Sequence, residues 1–207
     1  MKPVLALFDF DGTITRQDSF LAFLRFYRGQ VRFWTGLVCL SPLVVPYALK
    51  LLANWRAKNA ALTFFLRDEP VATFQAGCDT FAHTVLPHLV RPGALRAIQH
   101  YQAQGARVVV VSASPENWLR PWCEALGVEY IGTRLQVENG KLTGRIAGKN
   151  CYGPEKVQRL LEQYDPSEYA EIHAYGDSRG DAELFALATR RFFKPFRDTS
   201  RRGKDVA

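Results

Sequence analysis

Four short stretches of this chain carry side chains that could do chemistry together. Asp9-Phe10-Asp11-Gly12-Thr13 sets two carboxylates two residues apart beside a glycine, and Ser112-Ala113-Ser114 offers two hydroxyls. Gly176-Asp177-Ser178-Arg179-Gly180-Asp181 adds two more carboxylates, and Lys156 supplies an ammonium in the first turn of an expected helix. Carboxylates can act as nucleophile, general acid or general base. Hydroxyls, backbone N–H groups and an ammonium can hold an anion and the charge that develops on it. Taken singly, each stretch has a plainer use: a polar turn, half of a calcium loop, a helix cap, a solvated lysine. Their shared placement makes the stronger case.

That placement follows from the elements around them. Val4–Phe8 is a short apolar run suited to a buried strand, and it delivers Asp9. The β-branched run Ala-Arg-Val-Val-Val-Val-Ser delivers Ser112, and residues 171–175 form a third strand that delivers Asp177. Helices are expected over residues 117–126, 154–164 and 181–188, with Pro154 at a first-turn position. Asn139-Gly140 marks a hairpin between residues 134 and 146. Asp18 is an expected N-cap for a helix that stops at Gly29, and residues 16 to about 87 read as almost wholly helical. Strands alternating with helices imply an α/β fold with a parallel sheet, and ligands bind such sheets beyond the carboxyl ends of the strands.

Composition bounds the rest. With 207 residues, 47% of them hydrophobic and 23% charged, the chain is globular and can bury a core without disulfides or a structural metal. Cys39, Cys78, Cys123 and Cys151 lie far apart with no C-x-x-C pair, which fits a reducing compartment. Val4–Phe8 is too short for the apolar segment of a signal peptide, so a cytoplasmic location is expected. The net charge of +7 is uneven. Residues 16–67 hold eight basic and one acidic side chain, and residues 190–207 hold seven basic and two acidic, so the remainder is slightly acidic. Residues 33–52 are apolar for about the length of a membrane-spanning helix, but Pro42 and Pro46 interrupt them. Two short buried helices are the first expectation there. A segment lying on an anionic membrane, flanked by Arg25, Arg28, Arg32, Lys50, Arg56 and Lys58, is the second. The basic tail from Arg190 onward reads as a solvated terminus, and nucleic acid is not an expected partner.

The order DxDGT, Ser after a hydrophobic strand, Lys, then GDxxxD resembles the haloacid dehalogenase superfamily of phosphohydrolases along the whole chain. VSASPENWLRPW, ENGKLTGRIAGKNCYGPEKV and AYGDSRGDAELFALA are similar to its phosphoserine-phosphatase-like branch, subfamily IB. The resemblance implies a Rossmann-like core over residues 1–15 and 88–207, with an all-helical cap over residues 16–87. It also implies a Mg²⁺-dependent phosphomonoesterase that works through an aspartyl phosphate. Asp9 would be the nucleophile, and Asp11 would protonate the leaving alcohol and later activate water. Asp9, the Asp11 carbonyl and Asp177 would hold Mg²⁺, with Asp181 as an indirect partner. Ser112, the N–H groups beginning at Ala113, and Lys156 would bind phosphate, with Lys149 as the rival lysine, and Gly12 would let the backbone come close. Crowding between Asp9 and Asp11 would help to keep Asp11 protonated.

The substrate is less sharply implied. Asp18 stands where the branch's phosphoserine phosphatases carry a substrate-binding Glu, and Arg56 and Lys58 are only approximate matches to their arginine. Ser112-Ala113-Ser114 replaces Ser-Gly-Gly, and Gly180 replaces an Asn. A small phosphorylated metabolite, phosphoserine-like or histidinol-phosphate-like, is the expected substrate. The alternatives are a lipid phosphate at the membrane surface, as for the branch's phosphatidylglycerophosphatases, and a non-catalytic basic docking protein.

Overall fold

A computed structural model of the chain describes residues 2–43, 49 and 54–197. Five strands of the described residues form one parallel sheet: β1 (Val4–Phe8), β2 (Arg107–Pro115), β3 (Glu129–Thr133), β6 (Glu171–Gly176) and β7 (Arg190–Phe193), in the order β3-β2-β1-β6-β7. β1 is central, so it is buried on both faces and its side chains divide with a period of two. Leu5 and Leu7 pack with Val109, Val111, Leu160 and Leu184, whereas Ala6 and Phe8 pack with Val108, Val110, Ile98 and Tyr101. The first set lies under α7 (Pro154–Leu161) and α8 (Ala182–Leu187). The second lies under α5 (Pro92–Ala103) and α6 (Glu116–Leu126).

Between β1 and β2 the described chain is helical: α1 (Ser19–Cys39), α2 (Asn54–Leu66), α3 (Val71–Thr84) and α4 (Leu86–Leu89) precede α5. Asp18 caps α1, accepting from the Leu21 N–H at 3.0 Å. Gly29 breaks the helical path with a positive φ of 76°, a value that a side chain would strain, and the chain resumes as helix beyond it. The expected stop at Gly29 is therefore a kink. Phe23 of α1 joins this layer to the sheet. Its ring stacks on Trp118 of α6 at 4.6 Å and meets Phe74 and Phe81 of α3 edge-on at 5.6 and 5.3 Å.

The hairpin forms as β4 (Leu135–Glu138) and β5 (Lys141–Ile146), apart from the main sheet. Its hydrogen bonds outside the pair run to the helical layer: Asp68 N–H to Leu142 O, Leu142 N–H to Glu69 O, and Thr63 Oγ1–H to Gly144 O. The expectation of a solvated tail from Arg190 fails as far as Arg197. Residues 190–193 are an edge strand, Phe192 stacks on Tyr175 at 4.3 Å, and Phe196 stacks on Tyr175 at 5.5 Å. Burying these rings gains more than their solvation loses. Residues 198–207 lie outside the described residues, as does most of 44–53; of the two short buried helices expected over 33–52, the described part is helical to Cys39 and again at 41–43, but Trp34, Val38, Leu43 and Leu49 are exposed, because internal packing covers only the Phe33 and Gly36 side.

Candidate active site

The carboxyl ends of β1, β2 and β6 converge on one polar network. Asp9 follows β1 directly, and its backbone N–H donates to Tyr175 O on β6 at 2.9 Å. Residues 10–14 then make a single wide turn, closed by Thr15 N–H to Phe10 O at 2.9 Å. Gly12 sits in this turn with φ 81°, and a Cβ there would lie 2.5 Å from Asp177 Oδ2. Only glycine allows the turn and the close approach of Asp177 together.

Lys156 is the centre of charge. Its side chain is buried, and Nζ donates to Asp9 Oδ1 at 2.6 Å and to Asp181 Oδ1 at 2.7 Å. It reaches this position because α7 begins at Gly153, whose N–H donates to Gly180 O in the loop after β6. Asp181 Oδ2 accepts from the N–H groups of Asp177 and Ser178 and from Ser178 Oγ, each at 3.1 Å. Both Asp181 oxygens are thus engaged, and this buried residue fixes Lys156 and the loop that carries Asp177.

Asp9, Asp177 and Asp181 each place a carboxylate oxygen within 4.8 Å of the others. Burial pushes Asp9 up to about 7, with Asp181 adding to the rise and Lys156 opposing it. Asp177 is raised by burial and by Asp181, against the Arg197 guanidinium 2.9 Å from Oδ2. Lys156 is held above its ordinary range: burial alone would lower it, and the two aspartates outweigh that. Three crowded carboxylates beside a cradle that a Cβ at Gly12 would fill are a donor set that a small divalent cation fits.

Asp11 is turned toward the helical layer. Its Oδ1 accepts from Ser19 N–H, the first residue of α1, at 2.7 Å, and its Oδ2 accepts from Ser114 Oγ at 2.5 Å. Ser19 Oγ lies 2.9 Å from Ser114 Oγ and accepts from Trp118 Nε1 at 3.2 Å. Burial raises the Asp11 pKa first and the Asp18 charge second, while the bonds from Ser114 and Ser19 lower it. Asp18 is the neighbouring charge that raises Asp11, and the crowding of Asp9 and Asp11 shows in the rise that Asp11 adds to Asp9.

This chain has known relatives. The family model for haloacid dehalogenase-like hydrolases matches residues 6–186. The chain belongs to that family. It is 37% identical over 198 residues to the protein CicA of Caulobacter vibrioides, covering 95% of this chain and 88% of that one. It is 32% identical over 183 residues to a Mycobacterium tuberculosis protein named "probable phosphatase", covering 86% of this chain and 63% of that one. A solved substrate-bound phosphoserine phosphatase shares the fold with a TM-score of 0.63 at 22% identity, over 92% of this chain and 85% of that one. The chain is thus a haloacid dehalogenase-like hydrolase with a phosphatase among its named relatives.

In this hydrolase the expected site residues fall into one cluster and its margin. Asp9, Asp11, Gly12, Ser112, Lys156, Asp177 and Asp181 line the strand ends, with Ser112 Oγ accepting from Ser114 N–H at 3.0 Å. Ala113 contributes through its backbone, whose carbonyl accepts from Thr133 Oγ1 at 2.6 Å. Lys149 is exposed and pairs with Glu155 at 3.8 Å, away from the cluster. Asp18 is exposed and serves as the α1 cap, with its charge reaching Asp11 and Lys58.

Two participants escaped the sequence reading, and Lys58 entered it only beside Arg56 as an approximate match to a substrate arginine. Lys58 of α2 sends Nζ to the Ala113 carbonyl at 2.6 Å and to Asn150 Oδ1 at 3.5 Å. Its pKa is lowered by burial, with Asp18 and Asp11 opposing the shift. Nothing local to a lysine in a helix of Ala, Asn and Arg marks it for a contact 55 residues away. Arg197, at the described end of the tail, pairs with Asp177. Tyr152 explains why Gly180 stands in the last motif, since a Cβ at 180 would lie 2.4 Å from the Tyr152 ring.

Proposed function

We propose that this hydrolase is a Mg²⁺-dependent phosphomonoesterase acting through an aspartyl phosphate, with a small phosphorylated metabolite as substrate. One observation carries the reading: the Lys156 ammonium is clamped between Asp9 and Asp181 at the end of the central strands, beside Asp177. Bound Mg²⁺, held by Asp9, Asp177 and the Asp11 carbonyl, would supply positive charge to the phosphoryl oxygens.

Phosphate monoesters hydrolyse so slowly unaided that positioning and charge must provide most of the acceleration. Asp9 Oδ attacks phosphorus, and the bond from phosphorus to the leaving oxygen breaks. Asp11, kept protonated by burial, gives its proton to that oxygen, so the alcohol leaves neutral. Water then attacks the phosphorus of the aspartyl phosphate while Asp11 takes its proton, releasing inorganic phosphate and restoring Asp9. Ser112 and the backbone beyond it hold phosphate oxygens, and Lys156 neutralises charge as it develops. Ser19 and Ser114 aim Asp11 at the leaving group. Residues 16–87 act as the cap that excludes water, and Lys58 carries a cation from that cap to the phosphate loop.

Purified protein is expected to hydrolyse para-nitrophenyl phosphate with Mg²⁺ and to lose this in EDTA. Asp9→Asn should remove turnover by about six orders of magnitude, by analogy with removal of other covalent nucleophiles, with circular dichroism unchanged. No turnover with any divalent metal would overturn the reading. A panel of phosphoserine, histidinol phosphate, sugar phosphates and lysophospholipids then identifies the substrate class by kcat/KM.

A further inference from the structure

We propose that the solvent-facing side of the helical layer docks on an anionic phospholipid bilayer. Its apolar surface is the first reason. Of thirteen exposed large apolar side chains among the described residues, nine lie between Leu21 and Phe64, so the exposure is a property of this layer and not of the whole surface. Val31 is 81% exposed, Trp34 57%, Val38 71%, Leu49 65%, Trp55 50% and Phe64 49%.

Helix geometry explains why internal packing does not cover them. Val31, Trp34 and Val38 stand at i, i+3 and i+7, which places them on one face of α1 beyond the Gly29 kink. Phe33 and Gly36 occupy the other side and pack toward α2, where a Cβ at position 36 would lie 2.2 Å from the Phe65 ring. This stretch of α1 therefore carries apolar side chains on two sides, yet the fold buries only one of them.

Charge selects the occupant. Between Asp18 and Asp68 the sequence holds seven Lys and Arg residues and no Asp or Glu. Arg28 is turned inward to Glu69 and the Phe65 carbonyl, and Lys58 to the Ala113 carbonyl. Arg25, Arg32 and Arg56 face solvent among the apolar residues, with the Arg56 guanidinium 5.3 Å from the Trp55 ring. A second copy of this face would bring cations against cations. Nucleic acid would satisfy the arginines but not Val31, Trp34 and Val38. An anionic bilayer satisfies both, taking Trp and aliphatic groups at its interface and arginines among its headgroups. No helix of the described residues is long and apolar enough to cross a membrane, and the proposal is attachment to its surface.

The test sediments the full chain with vesicles of phosphatidylcholine alone or mixed with phosphatidylglycerol. Binding to the mixed vesicles, weakened by salt and accompanied by a blue shift of tryptophan emission, is expected. Trp118 and Trp122 are already buried, so the shift reports Trp34 and Trp55. The double variant Trp34→Glu/Val38→Glu should lower vesicle binding roughly tenfold or more, with its melting temperature and para-nitrophenyl phosphate turnover retained. The proposal is overturned by no binding to mixed vesicles, by equal binding to both vesicle types, or by unchanged binding of the double variant. Light scattering that shows a dimer broken by the same variant would assign the face to a second copy instead, and also overturns it.

Discussion

The strand-end site and the helical layer above it answer charge in opposite ways. At the strand ends, Lys156 is matched by Asp9 and Asp181, and Asp177 by Arg197, all within 3 Å. In the helical layer, seven cations lie in a stretch without an acid, and the carboxylate that meets Arg28 is Glu69, just beyond it. The first region is built to hold charge out of water, where each ion must be paired. The second is held by rings around Phe23 and leaves Arg25, Arg32, Arg56 and part of its apolar surface facing solvent. Pairing gives the site one geometry, and ring packing gives the layer a stable attachment that says little about its outer surface.

The sharpest way to break this contrast is to remove the central ammonium. Lys156→Ala should lower kcat/KM about a hundredfold to a thousandfold, as losing one preorganised charge donor does elsewhere. Lys149→Ala should stay within about twofold, because its pairing partner Glu155 is outside the cluster. Equal effects in steady-state assays would dissolve the distinction between a buried and a solvated lysine here.

The helical layer predicts a loss of stability rather than of chemistry. Phe23 is fully buried among Trp118, Phe74 and Phe81. Phe23→Ala should therefore cost about 3–5 kcal/mol in denaturant unfolding. A variant that unfolds at the wild-type midpoint would mean that the rings do not hold the layer to the sheet.

The smallest effect expected is the pH response of the half-buried Arg28–Glu69 pair in that layer. Burial works to raise the Glu69 pKa, but hydrogen bonds from Tyr27 and Arg28 outweigh it, so the carboxyl is held below its usual range. A depressed carboxylate contributes stability above its unfolded pKa and loses it as pH falls through the folded value. The melting-temperature gap between wild type and Glu69→Gln should therefore be full near neutrality and shrink as the solution is acidified below about pH 4.3. A gap that widens in acid would reverse the assigned sign.

Much of the site could be read in the chain because its residues sit next to strong local signals. Asp9 and Ser112 each follow an apolar run that reads as a buried strand, Asp177 follows the short strand at 171–176, and Gly12 marks a turn that no side chain allows. β3 and β7 were harder to read. β3 is five residues long, and β7 is an exposed edge strand whose arginines look like a solvated tail until Phe192 and Phe196 are seen against Tyr175. Arg197 was invisible as a site residue, and Lys58 only an approximate match to a substrate arginine, for a different reason: their partners lie 20 and 55 residues away.

The sequence by itself determined the strands that deliver Asp9, Ser112 and Asp177, the family, and which carboxylates gather at the strand ends. Those follow from periodicity and from residue types that chemistry does not interchange. Only the tertiary structure decided that Lys156 and not Lys149 meets Asp9, that Asp11 answers to Asp18 and to the start of α1, and that the hairpin serves the helices instead of the sheet. It also decided that one side of α1 remains bare. Each of these depends on which surfaces meet across long stretches of chain, and burial and distance exist only once the chain is folded.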